Sequence, residues 1–141
     1  MEKIKNLFFI PILTSITFLV FFISGCGENT DEIGIGPVKS ITLGAIDKNL
    51  VDKGKQIFDM KCVACHKFDS KLVGPPLKDV TKRRKPEWIM NMILNPEQMT
   101  KENSTAKQLL GQYLTQMTFQ NVSINDAYAI LEYLRVQDGE K

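Results

Sequence analysis

Cys62, Cys65 and His66 stand together in KCVACHKF, residues 61–68, and His66 is the only histidine in the chain. Two thiols and an imidazole at i, i+3 and i+4 project to one side of a helical turn, so they can share one object. Three chemistries use such a set: a dithiol couple, a zinc ion, or a haem joined to both sulfurs with the histidine on its iron. A thioredoxin-type couple needs the pair at a helix start after a strand in a βαβ setting, and here a helical pattern precedes it. A structural zinc site needs four ligands, whereas the rest of the chain offers one cysteine, Cys26, and no histidine; a carboxylate completing the shell keeps that reading open. Haem meets every feature, because sulfurs spaced across a turn can form thioethers with two vinyl groups while the next residue reaches the iron from the same side. One covalent c-type haem, with its iron, is therefore expected on Cys62, Cys65 and His66.

The elements that must position this turn are helical. DKNLVDKGKQIFDMKC places Leu50, Val51, Gly54, Ile57 and Phe58 at spacings of three and four behind Asp47, which predicts a capped amphipathic helix running into the cysteines. Ser123 and Asp126 fit a capping box, and Ile124, Ala127, Ile130, Leu131 and Leu134 repeat along one face, predicting a last helix to about residue 137. Between them Pro86 suits a first helical position ahead of the stripe Trp88, Ile89, Met92 and Ile93, which stops at Asn95-Pro96. Ser104 can cap a further helix through Leu109, Leu110 and Tyr113. No run alternates convincingly as a strand, so the expected class is all-α.

With 141 residues, 43% of them hydrophobic, the chain has room for one small domain plus extras. A formal charge of +2 argues against a nucleic-acid partner. Lys3 and Lys5 precede an uncharged apolar run over 7–23, the shape of a signal peptide, which Pro11 makes a poor membrane span. That run ends in Ile23-Ser24-Gly25-Cys26, which resembles a bacterial lipobox. The resemblance implies cleavage before Cys26, a diacylglycerol on its thiol and a nearly neutral mature chain. Residues 1–25 are thus read as a lipoprotein signal peptide, 26–46 as a lipidated N-terminus and flexible tether, and 47–141 as the domain.

Over residues 47–137 the order GKQIF, CVACH, GPPL, a methionine, and DAYAILEYL resembles a class I, monohaem cytochrome c. The resemblance implies the cytochrome c fold, with N- and C-terminal helices crossing beside the haem, and Gly54 and Phe58 meeting Leu131 and Tyr133 there. It implies that the Pro75 carbonyl accepts the Nδ1 proton of His66, a bond that fixes the ring, and that Leu77 packs on the haem. Met117, in a loop before the last helix, takes the family's place for the sixth iron ligand; Met99, in the loop after Asn95-Pro96, is the alternative. Met90 and Met92 read as core. In KRRK, residues 82–85, Arg83 or Arg84 could meet a haem propionate, or the run could be a solvated face or guide an acidic partner. Trp88 reads as cavity wall, its N–H within reach of a propionate.

These expectations describe a monomeric electron carrier rather than an enzyme, anchored through Cys26 to the bacterial cell membrane with its domain on the periplasmic side. Its partners would be respiratory redox proteins, a quinol-oxidising complex as donor and a terminal oxidase or reductase as acceptor. RRKPEWIMNMILNPEQM is similar to small cytochromes associated with nitrous oxide reduction, which favours nitrous oxide reductase as acceptor. The competing readings are a haem-based sensor or a peroxidase-like enzyme with a displaceable sixth ligand.

Overall fold

Residues 30–141 are described by the computed structural model; the expected signal peptide and Cys26 lie outside the described residues. Among them the elements are all helical: α1 (Thr30–Ile33), α2 (Lys48–Lys61), α3 (Val80–Arg83), α4 (Pro86–Leu94), α5 (Pro96–Glu102), α6 (Ser104–Tyr113) and α7 (Ile124–Gln137). The two long helices begin where their caps lie. The Asp47 carboxylate accepts the N–H groups of Asn49 at 2.8 Å and Leu50 at 3.4 Å, satisfying two of the donors that open α2. At α7 the Ser123 hydroxyl accepts from the Asp126 N–H and the Asp126 carboxylate accepts from the Ser123 N–H, a reciprocal capping box. Lys53 and then Ser123 hold the Asp126 carboxyl down at a pKa of about 2.

Helices α2 and α7 cross at Gly54. A Cβ there would stand 1.9 Å from the Ala129 carbonyl oxygen, so only glycine lets the two backbones approach this closely. One turn on, Phe58 packs on Tyr133 and on Phe68, with ring centroids 5.4 Å apart in both pairs. The expected Phe58–Tyr133 contact is present, and the atoms nearest to Gly54 are backbone atoms of Ala129 and Ile130. Helix α4 packs on α7 from another side and completes the core with the buried Trp88, Ile89 and Met90.

Three stretches differ from the sequence reading. The segment expected to be a flexible tether lies against the domain from residue 31 onward. Its anchor is Asn91, wholly buried on α4, whose amide donates to the carbonyls of Ile33 and Val38 and accepts the Val38 N–H at 2.9 Å. Farther along, Ile41 donates to Glu87, and the Gly44 carbonyl accepts from the buried Arg135. The segment reads as polar linker by composition, but leaving the Asn91 amide buried without partners would cost about 1–3 kcal/mol, which favours the docked backbone. The residues after Asn95 form α5 rather than a loop. Asn103, not Ser104, caps α6: its side-chain oxygen accepts the Ala106 N–H at 3.0 Å, as asparagine does well at that position.

Candidate functional site

Helix α2 delivers the motif. Its last carbonyls carry the chain into a turn in which the His66 N–H donates to the Cys62 carbonyl at 2.9 Å, and the Cys65 N–H donates to the same oxygen at 3.1 Å. Cys62, Cys65 and His66 therefore face one cavity, as their spacing predicts. Residues 73–78 then fold back over the turn: Gly74 donates to the Cys65 carbonyl at 2.8 Å and Leu77 to the Lys67 carbonyl at 2.9 Å. A Cβ on Gly74 would come within 2.5 Å of the imidazole Cε1, so the ring lies directly on this glycine.

Pro75 fixes the ring from the other edge. Its carbonyl oxygen lies 3.0 Å from His66 Nδ1. A carbonyl only accepts, so Nδ1 carries the proton and the lone pair of Nε2 is left for a metal. The two cysteines are free of any disulfide, Cys62 half-buried and Cys65 exposed at the rim. Burial pushes the Cys62 thiol up to about 11. A thioether at this position removes the titratable group altogether, which suits a site that disfavours a thiolate.

Around these three groups the cavity wall is apolar, formed by Phe58, Leu77, Trp88, Ile89, Met92, Leu109, Ile130 and Leu134 among others. Pro75, Leu77, Arg84, Trp88 and Met117 all line this same cavity, so every expected site residue within the described chain is brought to one place. Arg84 lays its guanidinium 5.3 Å from the centre of the Trp88 ring, a cation–π contact. Arg83 donates instead to the carbonyls of Pro76, Lys78 and Asp79, which holds the 76–79 loop. The expected role for the Trp88 N–H needs correction, since it donates to the Asn103 side chain at 3.2 Å inside the protein.

The two loop methionines part company. Met99 is completely buried on α5, and its sulfur accepts the Ile35 N–H at 3.0 Å. It does not line the cavity, whereas Met117, on the irregular segment between α6 and α7, does. Two residues that the sequence reading passed over also matter here. Asn103 links the Trp88 wall to the start of α6; its position between two helical patterns is the one signal that could have marked it. Gln116, beside Met117, ties this segment to α5, and nothing in its local pattern announces that.

An apolar hollow with two thiols and an oriented imidazole on its wall fits a flat, largely hydrophobic, covalently held metal macrocycle. It offers no fourth ligand for zinc, and among the described residues no group of three or more His, Cys, Asp and Glu is placed to hold a metal ion. Fold and site together define a haem protein of the c type. Residues 51–137 match the family model described as Cytochrome c. The solved cytochrome c from Rhodothermus marinus is 46% identical, with a TM-score of 0.75 over 79% of this chain and 97% of that one. An engineered cytochrome c from Rhodothermus marinus, bound to a carbene intermediate (1-ethoxy-1-oxopropan-2-ylidene), is 44% identical, with a TM-score of 0.71 over 77% of this chain and 96% of that one. No curated protein sequence matches the chain. The chain belongs to the cytochrome c family. It is an electron-carrying haem protein with one covalently bound c-type haem and redox proteins as partners.

Proposed function

We propose that this cytochrome c carries single electrons from a quinol-oxidising complex to a terminal oxidase or reductase, nitrous oxide reductase among them. It would do so on the periplasmic side of the bacterial cell membrane, with Met117 as sixth iron ligand and Cys26 as lipid anchor. The observation that carries this reading is the lining of one cavity by both His66 and Met117, with Met99 outside it. Bound there, the haem supplies a one-electron iron couple whose potential a methionine ligand raises. The chain's part is to hold Nε2 of His66 toward the iron through Pro75, to surround the ring with apolar wall, and to keep water from it. His66 is the only histidine and its ring is engaged, so no second histidine can act as a distal acid or base. That favours a carrier over a peroxidase-like enzyme.

Met117→Ala should abolish the weak near-infrared charge-transfer band that methionine ligation gives the oxidised protein. It should also lower the reduction potential by on the order of 100 mV, since about 59 mV corresponds to each tenfold change for one electron. Met99→Ala should leave the band in place and cost stability instead, because it empties a fully buried site. A band that survives Met117→Ala and disappears in Met99→Ala would reverse the ligand assignment. A wild type without the band that binds carbon monoxide rapidly when reduced would favour the sensor.

No helix among the described residues is long and apolar enough to cross a membrane; the anchor in this proposal is the lipid expected on Cys26. Two acyl chains contributing roughly 0.8 kcal/mol per buried methylene hold a protein firmly at a membrane. The wild type should partition with detergent, and Cys26→Ser should move it to the soluble fraction. A wild type that is soluble and unmodified contradicts the anchor.

A further inference from the structure

We propose that Gln116 is a positioning residue for the sixth iron ligand, latching the Met117 loop onto α5. This rests on the assignment of Met117 proposed above. The loop needs such a latch because its backbone is poorly tied. Among the described residues, no backbone–backbone hydrogen bond involves 115–122, and both ends of the stretch turn through positive φ, at Leu114 (55°) and Asn121 (51°). Met117 therefore has no helix or ladder to hold its sulfur in one place.

Gln116 supplies what the backbone does not. Its Nε2 donates to the Met117 carbonyl at 3.0 Å and to the Pro96 carbonyl at 3.4 Å, and its Oε1 accepts from the Thr100 hydroxyl at 2.9 Å. Both carbonyls can only accept, so the amide nitrogen must face them and the oxygen must face Thr100. One planar amide thus bridges the ligand's own peptide group to two residues of α5, the helix that Met99 roots in the core. Thr100 is itself buried, and its one hydroxyl proton has the Pro96 carbonyl at 2.9 Å and the Glu97 carbonyl at 3.1 Å as acceptors that compete with Gln116 Oε1. The far end of the loop is held more lightly, by Lys61 Nζ donating to the Gln120 carbonyl at 2.9 Å.

Loosening the loop costs Met117 its advantage over a competing ligand for iron. Imidazole should bind the oxidised, haem-loaded full-length Gln116→Ala protein roughly tenfold more tightly than wild type, the loss expected from the two modest hydrogen bonds that tie the loop to Pro96 and Thr100. Gln116→Glu should behave like Gln116→Ala, because a carboxylate oxygen replaces the donor that faces the Met117 carbonyl. Thr100→Ser keeps the hydroxyl and should match wild type. Thermal midpoints measured alongside separate a general loss of stability, which would shift the midpoint without changing imidazole affinity. Wild-type imidazole affinity in Gln116→Ala, or in Gln116→Glu, overturns the proposal and leaves Met117 in place. If Met117→Ala itself fails to tighten imidazole binding, Met117 is not the ligand and both readings fall.

Discussion

Acidified acetone should draw the colour out of a Cys62→Ala, Cys65→Ala double variant and leave it on the unmutated polypeptide. The solvent protonates His66 and unfolds the chain, so coordination bonds no longer retain the haem; only covalent attachment does. In the unmutated protein two thioethers survive that treatment. Either single variant keeps one thioether and should keep the colour. The haem-free chain that extraction leaves should also fold poorly when returned to neutral buffer. Phe58, Trp88, Ile89, Met92, Leu109, Ile130 and Leu134 line a cavity that a covalent haem fills, and emptying a cavity of that kind removes apolar contacts worth several kcal/mol. Far-ultraviolet circular dichroism should therefore show a lower helical signal and a broad thermal transition. Haem that extracts quantitatively from the unmutated protein would falsify covalent attachment.

Gly54→Ala should lower the thermal midpoint by roughly 15 °C, or prevent folding, although alanine favours a helix interior by about 1 kcal/mol over glycine. The steric effect wins because of what the new methyl group meets. Its carbon would lie 1.9 Å from the Ala129 carbonyl oxygen, 2.5 Å from the Ala129 carbonyl carbon and 3.0 Å from the Ile130 nitrogen, all backbone atoms of α7. No rotamer change can move them, so α2 and α7 must separate by more than an ångström, and overpacking of that kind costs about 3 kcal/mol or more. The separation also strains the Phe58–Tyr133 contact and the end of α2 that presents Cys62. Gly111 supplies the control. It lies exposed within α6, and a methyl group placed there would meet nothing within 4 Å, so Gly111→Ala should raise the midpoint by a few degrees. Equal effects from the two substitutions would mean that the helices do not cross at Gly54.

What was legible in the sequence is what depends on neighbours in the chain. The CVACH turn needs only its own i to i+4 backbone bonds, so spacing alone predicts three ligands on one side, and the His66 N–H bond to Cys62 shows that turn formed. The caps at Asp47 and Ser123 are equally local, because a side-chain oxygen satisfies N–H groups two or three residues on. Pro86 opens α4 since its missing N–H has no partner to lose there. Tertiary structure decided the matters in which two distant segments compete. Met99 and Met117 look alike as flexible sulfurs in loops; only the folding of 96–102 into α5, with the Met99 sulfur beneath the Ile35 N–H, removes one from the cavity. Asn91 and the stretch 31–44 carry no shared pattern, yet the buried amide and the otherwise unpaired backbone satisfy each other across more than fifty residues. Trp88 could be read as cavity wall from its place in an apolar stripe, but the partner of its N–H, Asn103, depended on where α6 came to rest. A hydrogen bond between distant residues is specified by geometry that exists only after the helices have packed, whereas a cap or a ligand turn is specified before they meet.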